Sequence, residues 1–201
     1  MKRILLIVLC VGMGLTTGSW FVLHHEKQPE EESYKDGSVI ARHVGISVSN
    51  TAAMKELVRQ LPFSEALENV SIDGTRVTIR YGGTEQSRTD WLGKNIEQLR
   101  NETSTFLESR LSKVIMHHTL GLFLSVSDLS ELQITYRDSS VKVAFEVERP
   151  QIENYTPPDI ERAASSANRF NRVVVEDYVL VDSRRAAFFQ TFESALKITF
   201  K

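Results

Sequence analysis

Two pairs of adjacent histidines, His24-His25 and His117-His118, are the first candidates for chemistry in this sequence. Imidazole is the commonest metal ligand in proteins, and its charge changes close to neutral pH. A helical zinc site uses histidines three or four positions apart, because only those share one face of the helix. Adjacent histidines point in different directions. We therefore interpret His24-His25 as lying at lipid headgroups and His117-His118 as lying near the C-terminus of a helix.

Three glutamates that lie close in sequence, Glu146, Glu148 and Glu153, are the second candidate. Paired carboxylates are the catalytic groups of most glycosidases. Glu146 and Glu148 alternate with apolar residues on a predicted strand, so they share its exposed face, and a solvated face explains them without catalysis. No serine lies in a G-x-S-x-G turn, and Gly82-Gly83 lacks the lysine of a phosphate loop. We predict no catalytic, cofactor-binding or metal-binding residue, and no cofactor.

Four arginines, Arg59, Arg76, Arg80 and Arg88, form a candidate basic patch beside the first predicted hairpin. Such a patch would meet an anionic polymer or lipid headgroups, although an ordinary exposed sheet face explains it as well. The whole chain has 24 Lys and Arg against 26 Asp and Glu, for a net charge of -2. This balance does not predict nucleic acid as a partner.

The first 23 residues predict a membrane anchor. Met1-Lys2-Arg3 precedes the apolar stretch Ile4 to Leu23, which is about as long as a helix that crosses a bilayer. Because positive charge precedes this stretch and acidic residues follow it, the N-terminus is expected to be cytoplasmic and the remainder extracytoplasmic. One alternative is a signal peptide cleaved near Thr16 to Gly18, which would release a secreted protein. Another is lipid attachment at Cys10, the only cysteine of the chain, although the bulky Leu9 before it argues against this.

A polar, acidic stalk is predicted from residue 24 to 38, followed by an extracytoplasmic domain over 39–201. The first half of the domain, about 39–118, has four predicted elements. They are a strand over 39–48, a short helix over 51–61, a hairpin over 70–81 that turns at Asp73-Gly74, and a long helix over 89–117.

The second half, about 119–201, begins with an apolar run over 120–126 that fits a strand or a helix equally well. A second hairpin over 132–147, which turns at Arg137 to Ser140, has clean alternation of apolar and polar residues. A helix is predicted to begin at Thr156-Pro157-Pro158-Asp159. The β-branched stretch 172–181 predicts a central strand, and Ser183 begins a last helix with an aromatic stripe.

These elements predict an α+β fold, in which an N-terminal transmembrane helix precedes a two-layer domain. Its sheet is mixed or antiparallel and built from hairpins, with helices packed on one face. The function expected is a non-enzymatic binding or assembly domain for a protein or cell-envelope partner, held at the membrane. An extracytoplasmic hydrolase and a carrier of lipid or another small ligand are the alternatives.

Overall fold

The computed structural model describes residues 34–84, 91–92 and 103–201. Tyr34–Lys201 forms one compact unit. The predicted anchor over 1–23 and residues 24–33 of the predicted stalk lie outside the described residues. Within the part of the chain that is described, no helix has the length and apolar character needed to cross a membrane.

The described chain contains a five-stranded mixed sheet in the order β1-β2-β3-β4-β5. The strands are β1 (Leu67–Asp73), β2 (Arg76–Gly82), β3 (Glu131–Arg137), β4 (Val141–Glu148) and β5 (Leu196–Phe200). Strands β2 and β3 pair in parallel, and the other three pairs are antiparallel. The predicted α+β class is confirmed.

Both predicted hairpins are present, and local chemistry accounts for their turns. Gly74 has φ 58°, a backbone conformation in which a side chain would be strained, and Gly74-Thr75 forms the tight turn that follows Asp73 and joins β1 to β2. In the second turn, the Asp138 carboxylate accepts hydrogen bonds from the backbone N–H groups of Ser140 (2.6 Å) and Val141 (2.8 Å). This Asx arrangement closes the chain between β3 and β4.

Most of the other described residues lie in helices. The α-helices are α1 (Gly37–Arg42), α2 (Thr51–Gln60), α3 (Thr103–Glu108), α4 (Arg110–Ser125), α5 (Arg149–Tyr155), α6 (Pro158–Glu161), α7 (Ala167–Phe170) and α8 (Asp182–Thr191). A π-helix follows α7 over Asn171–Val179, and short 3₁₀ turns occupy Ser64–Ala66, Ala163–Ser165 and Glu193–Ala195.

The core lies between the helices and one face of the sheet. Alternate residues of β2, β3 and β4 are buried there, including Ile79, Ile134 and Phe145. Phe145 packs edge-on against Phe189, and its ring centroid lies 5.7 Å from that of Phe188, both on α8. The aromatic stripe of the last predicted helix is therefore part of the core, as its spacing predicts.

The predicted strand over 39–48 is wrong, because residues 37–42 form α1. Ile46 retains only an isolated bridge to Val126. The helix is held by tertiary contacts: the Asn171 side-chain oxygen accepts from Gly37 N at 2.9 Å, and Ile40 is fully buried. Tyr34 is also fully buried, so the last residues of the predicted stalk belong to the folded unit.

The predicted central strand over 172–181 is also wrong. This stretch forms most of the π-helix, with the consecutive residues Val173, Val174 and Val175 buried and Tyr178 and Val179 buried one turn later. The preference of β-branched residues for strands is weak and depends on packing. Here the packing is against other helices, so the preference is overridden.

The predicted long helix over 89–117 differs from the structure in its second half. Helices α3 and α4 are separated at Ser109, whose side chain accepts from Ser112 N at 3.2 Å and so caps α4. Helix α4 extends to Ser125. The apolar run over 120–126, which fits a strand or a helix equally well by sequence, is therefore helical. The last predicted helix ends sooner than expected, since the stretch from Leu196 to Phe200 forms the edge strand β5.

Candidate functional site

The sheet face opposite the core is the candidate functional site, and we call it the open face. Its side chains point away from the helices, because successive residues of a strand alternate between the two faces. The open face consists of Asn69, Ser71, Asp73, Arg76, Thr78, Arg80, Glu131, Gln133, Thr135, Arg137, Lys142, Ala144, Glu146, Glu148, Lys197 and Thr199. Most of them are exposed, and only Thr78, at 9% exposure, counts among the buried residues.

One end of the open face is acidic. Where β2 and β3 begin, Arg76, Glu131 and Glu148 lie side by side in register, and Glu146 lies one row further along β4. A single terminal nitrogen of Arg76 donates to both Glu131 and Glu146, at 2.9 Å in the case of Glu146. Gln133 also donates to Glu146, at 2.8 Å. One guanidinium thus holds two carboxylates together.

The two carboxylates that share Arg76 differ in their affinity for a proton. Partial burial raises the pKa of Glu131, and the hydrogen bond from Arg76 only partly opposes this. Partial burial acts in the same direction on Glu146, but hydrogen bonds from Glu131 and Gln133 and the charge of Arg76 lower its pKa overall. The shared guanidinium fixes the position of both carboxylates and makes this end of the open face a cluster of charge.

The other end of the open face is basic. Arg137 and Lys142 lie directly opposite each other on β3 and β4, and Arg80 and Lys197 lie in the next row. Together with Lys201, these residues form what we call the basic end. Thr135 and Ala144, with short side chains, lie between Arg80 and Lys197. The charges of the open face are therefore sorted along the strand direction.

The residues singled out from the sequence have different locations in the structure. Arg76, Arg80, Glu146 and Glu148 lie on the open face, as predicted. Glu153 does not join them: it lies on α5 and pairs with Arg149 at 3.6 Å. Cys10, His24-His25 and Arg88 lie outside the described residues, and Arg59 is exposed on α2.

The expectation for His117-His118 is wrong, because both residues lie within α4 and are fully buried. His117 Nε2 lies 3.0 Å from Asp36 Oδ1, and His117 Nδ1 lies 3.3 Å from His118 Nδ1. Neutral tautomers satisfy both contacts if His118 donates to His117 and His117 donates to Asp36. Through these two contacts, the start of α1 is held against α4. In the described ranges, no three His, Cys, Asp or Glu side chains are grouped so as to hold a metal ion.

Several residues of the open face could not be recognised as a group from the sequence. Glu131, Arg137 and Lys142 lie on the second hairpin, whereas Arg76 and Arg80 lie on the first. They become neighbours only because β2 pairs in parallel with β3 across 48 intervening residues, from 83 to 130. Alternation within each hairpin was the available signal, and it gives the face of each side chain but not its neighbour on another hairpin.

The fold and the open face define an α+β domain that covers one face of a mixed sheet with helices and exposes the other. No family model, no curated protein and no solved structure matches this chain. We therefore infer the function of this chain from its own residues.

Proposed function

We propose that this protein is a non-enzymatic binding or assembly module, anchored in a membrane by residues 1–23, whose open face binds a protein or cell-envelope partner. The N-terminal sequence supports the anchor and an extracytoplasmic location for the domain. The observation that carries the binding role is the sorting of charge on the open face into an acidic and a basic end.

Sorted charge on a sheet face is unfavourable for the isolated domain. Opposite charges in directly opposed positions stabilise a sheet, whereas like charges there destabilise it. The open face has like charges directly opposed at both ends, at Glu131–Glu148 and at Arg137–Lys142. A partner with the complementary pattern would relieve this repulsion, increase the association rate and fix its own orientation.

Site-specific crosslinking in membranes tests this role. A photo-reactive amino acid replaces Ser71 or Thr199, both exposed and uncharged on the open face, in the full-length chain. Matched positions on the helical side are Glu161 and Arg172, which are also exposed. We expect the two open-face positions to give the same discrete adduct, and the two helical positions to give none.

A charge variant makes the crosslinking test specific. Glu146→Lys introduces a third cation beside Lys142 and Lys197 and removes a carboxylate that Arg76 holds. We expect adduct formation at Ser71 to fall by roughly tenfold. The new lysine would face a positive charge of the partner, and this repulsion costs about 1.4 kcal/mol or more of binding free energy. Equal adducts from the helical positions, or undiminished adducts with Glu146→Lys, would show that the open face is not the binding surface.

A further inference from the structure

The basic end of the open face contains a concavity of about 640 Å³. Its floor includes Thr135 and Ala144, whose side chains are short, whereas the residues around them have long ones. Its lining contains four cationic side chains: Arg80, Arg137, Lys142 and Lys201. The depression arises because short side chains in the middle of the sheet are surrounded by long, charged side chains.

These cations form no ion pair within the described residues. Arg80, Arg137 and Lys142 form no ion pair with any described residue, whereas Arg76 at the acidic end binds two carboxylates. Lys201 donates to the carbonyl oxygen of Asp138 at 3.2 Å, a contact that holds its ammonium group without forming an ion pair. The fold thus assembles several positive charges whose mutual repulsion an anion would relieve.

One carboxylate lines the same concavity. Glu68 lies at the bulge in β1, where the pairing with β2 shifts its register. Its carboxylate lies over Gly82, and a β-carbon at Gly82 would overlap it. Glu68 is not within ion-pair distance of the described cations, so it does not neutralise them. It therefore acts as a negative charge that opposes an incoming anion.

We propose that the basic end binds an anion that carries two or more phosphate groups, an inference that depends on the open face being the binding surface. Guanidinium groups bind phosphate oxygens through two parallel hydrogen bonds, and ammonium groups add compact positive charge. The concavity has the volume of an ordinary ligand pocket, which is larger than one phosphate needs. The phosphates belong to a soluble polyphosphorylated molecule or to lipid headgroups, and the experiment separates these two sources.

Tripolyphosphate is the probe for the soluble source. The full-length chain is placed in nanodiscs of phosphatidylcholine, whose headgroups carry no net charge, and titrated by calorimetry. We expect saturable binding that weakens as salt is added. In the double variant Arg137→Gln/Lys142→Gln, affinity should fall at least about tenfold, because two of the four lining cations are removed.

Glu68→Gln provides a variant with the opposite effect. The Glu68 carboxylate repels the anion from a few Å away. Its removal should raise the affinity for tripolyphosphate about threefold in a solvent-exposed site. The matched control is Arg172→Gln, which removes an exposed cation on the helical side and should leave binding unchanged. All these residues are exposed, so thermal unfolding midpoints are expected to be no lower than the wild-type midpoint, which excludes misfolding as the cause.

Nanodiscs that contain cardiolipin, a lipid whose headgroup carries two phosphates, identify the source of the phosphate. If they weaken tripolyphosphate binding by competition in the wild type but not in Glu68→Gln/Arg137→Gln/Lys142→Gln, the site binds lipid headgroups. If they have no effect while tripolyphosphate binds as expected, the site binds a soluble anion. Both outcomes support the proposal.

The proposal is overturned if tripolyphosphate does not bind, or if Arg137→Gln/Lys142→Gln and Arg172→Gln reduce binding equally. In that case, an open-face adduct in the crosslinking test would still support the proposed function.

Discussion

His118 shows how this fold controls the chemistry of a single residue. Its side chain is fully buried in α4, and burial lowers its pKa well below the usual value. The nearby His117 lowers the pKa further, and the carbonyl group of Pro62 opposes this in part. Because His117 is fastened to Asp36, the pair joins the start of the folded unit to its central helix. The role of these histidines is therefore structural, and it makes stability depend on pH.

Acidification is expected to destabilise the protein through His118. In the unfolded chain this histidine binds a proton below about pH 6.5, whereas the folded chain does not until a much lower pH. The contribution of His118 to the free energy of unfolding is therefore fully present above pH 6.5. Below pH 6.5 it falls by up to about 1.4 kcal/mol per pH unit. Urea unfolding of the full-length chain at pH 7.5, 6.5 and 5.5 measures this dependence.

The variant His118→Gln should remove this part of the pH dependence, because the titrating group is gone. Val114→Ala in the same buried helix should lower stability equally at all three pH values and keep the slope. If His118→Gln retains the full wild-type slope, the acid sensitivity arises from other groups.

At the scale of the elements, the end of α4 is fixed by a side chain from α5. Arg149 Nε donates to the carbonyl oxygen of Leu129 at 2.7 Å, and its terminal nitrogens donate to those of Val126 at 2.6 Å and Phe123 at 3.5 Å. The last carbonyl groups of a helix have no partner within the helix, and a cation there also interacts favourably with the helix dipole. Arg149 thus connects α4 to the end of β4.

Replacement of Arg149 should destabilise the contact between α4 and α5. We expect Arg149→Gln to lower the free energy of unfolding by about 2–3 kcal/mol, because hydrogen bonds from a charged donor are lost and carbonyl groups are left without partners. Chemical denaturation measures the loss. Arg172→Gln, an exposed arginine on the π-helix, serves as the control and should change stability by less than about 0.5 kcal/mol. A similar loss in both variants would mean that the contacts of Arg149 contribute nothing specific.

At the scale of the whole molecule, the folded unit begins at Tyr34. Tyr34 is fully buried, its hydroxyl donates to the carbonyl oxygen of Arg110 at 3.3 Å, and its ring lies 5.0 Å from that of Phe63. Two residues later, Asp36 holds His117. The first residues of the unit thus bind directly to its core.

Two truncations separate anchoring from folding. A chain that begins at Tyr34 should fold with the same unfolding midpoint as the full-length chain but no longer sediment with membranes, since the predicted anchor is removed. A chain that begins at Val39 lacks Tyr34 and Asp36 and should lose at least about 4 kcal/mol of stability, a typical cost for the loss of a buried aromatic side chain and its partners. Sedimentation and thermal unfolding distinguish these results. Membrane sedimentation of the chain from Tyr34 at high salt, where binding of headgroups by the basic end is screened, would contradict the proposed anchor.

The sequence alone determined the local features of this fold. Asp73-Gly74 and Asp138 specify two hairpins, because the backbone of a tight turn and the alternation of adjacent strands depend on residues next to each other in the chain. The same alternation assigns Arg76 and Glu146 to the exposed face. The tertiary structure decided which hairpin lies beside which, and so brought Arg80 next to the second hairpin.

Tertiary contacts also decided the elements that the sequence misassigned. The valines from Val173 to Val175 are buried among helices, α1 forms where Ile40 packs into the core, and Leu196–Phe200 becomes a strand because β4 offers an edge. Local preference for helix or strand amounts to less than about 1 kcal/mol per residue, whereas burial of one large apolar side chain contributes about 1.5–3 kcal/mol. Where the two disagree, packing against distant residues determines the element.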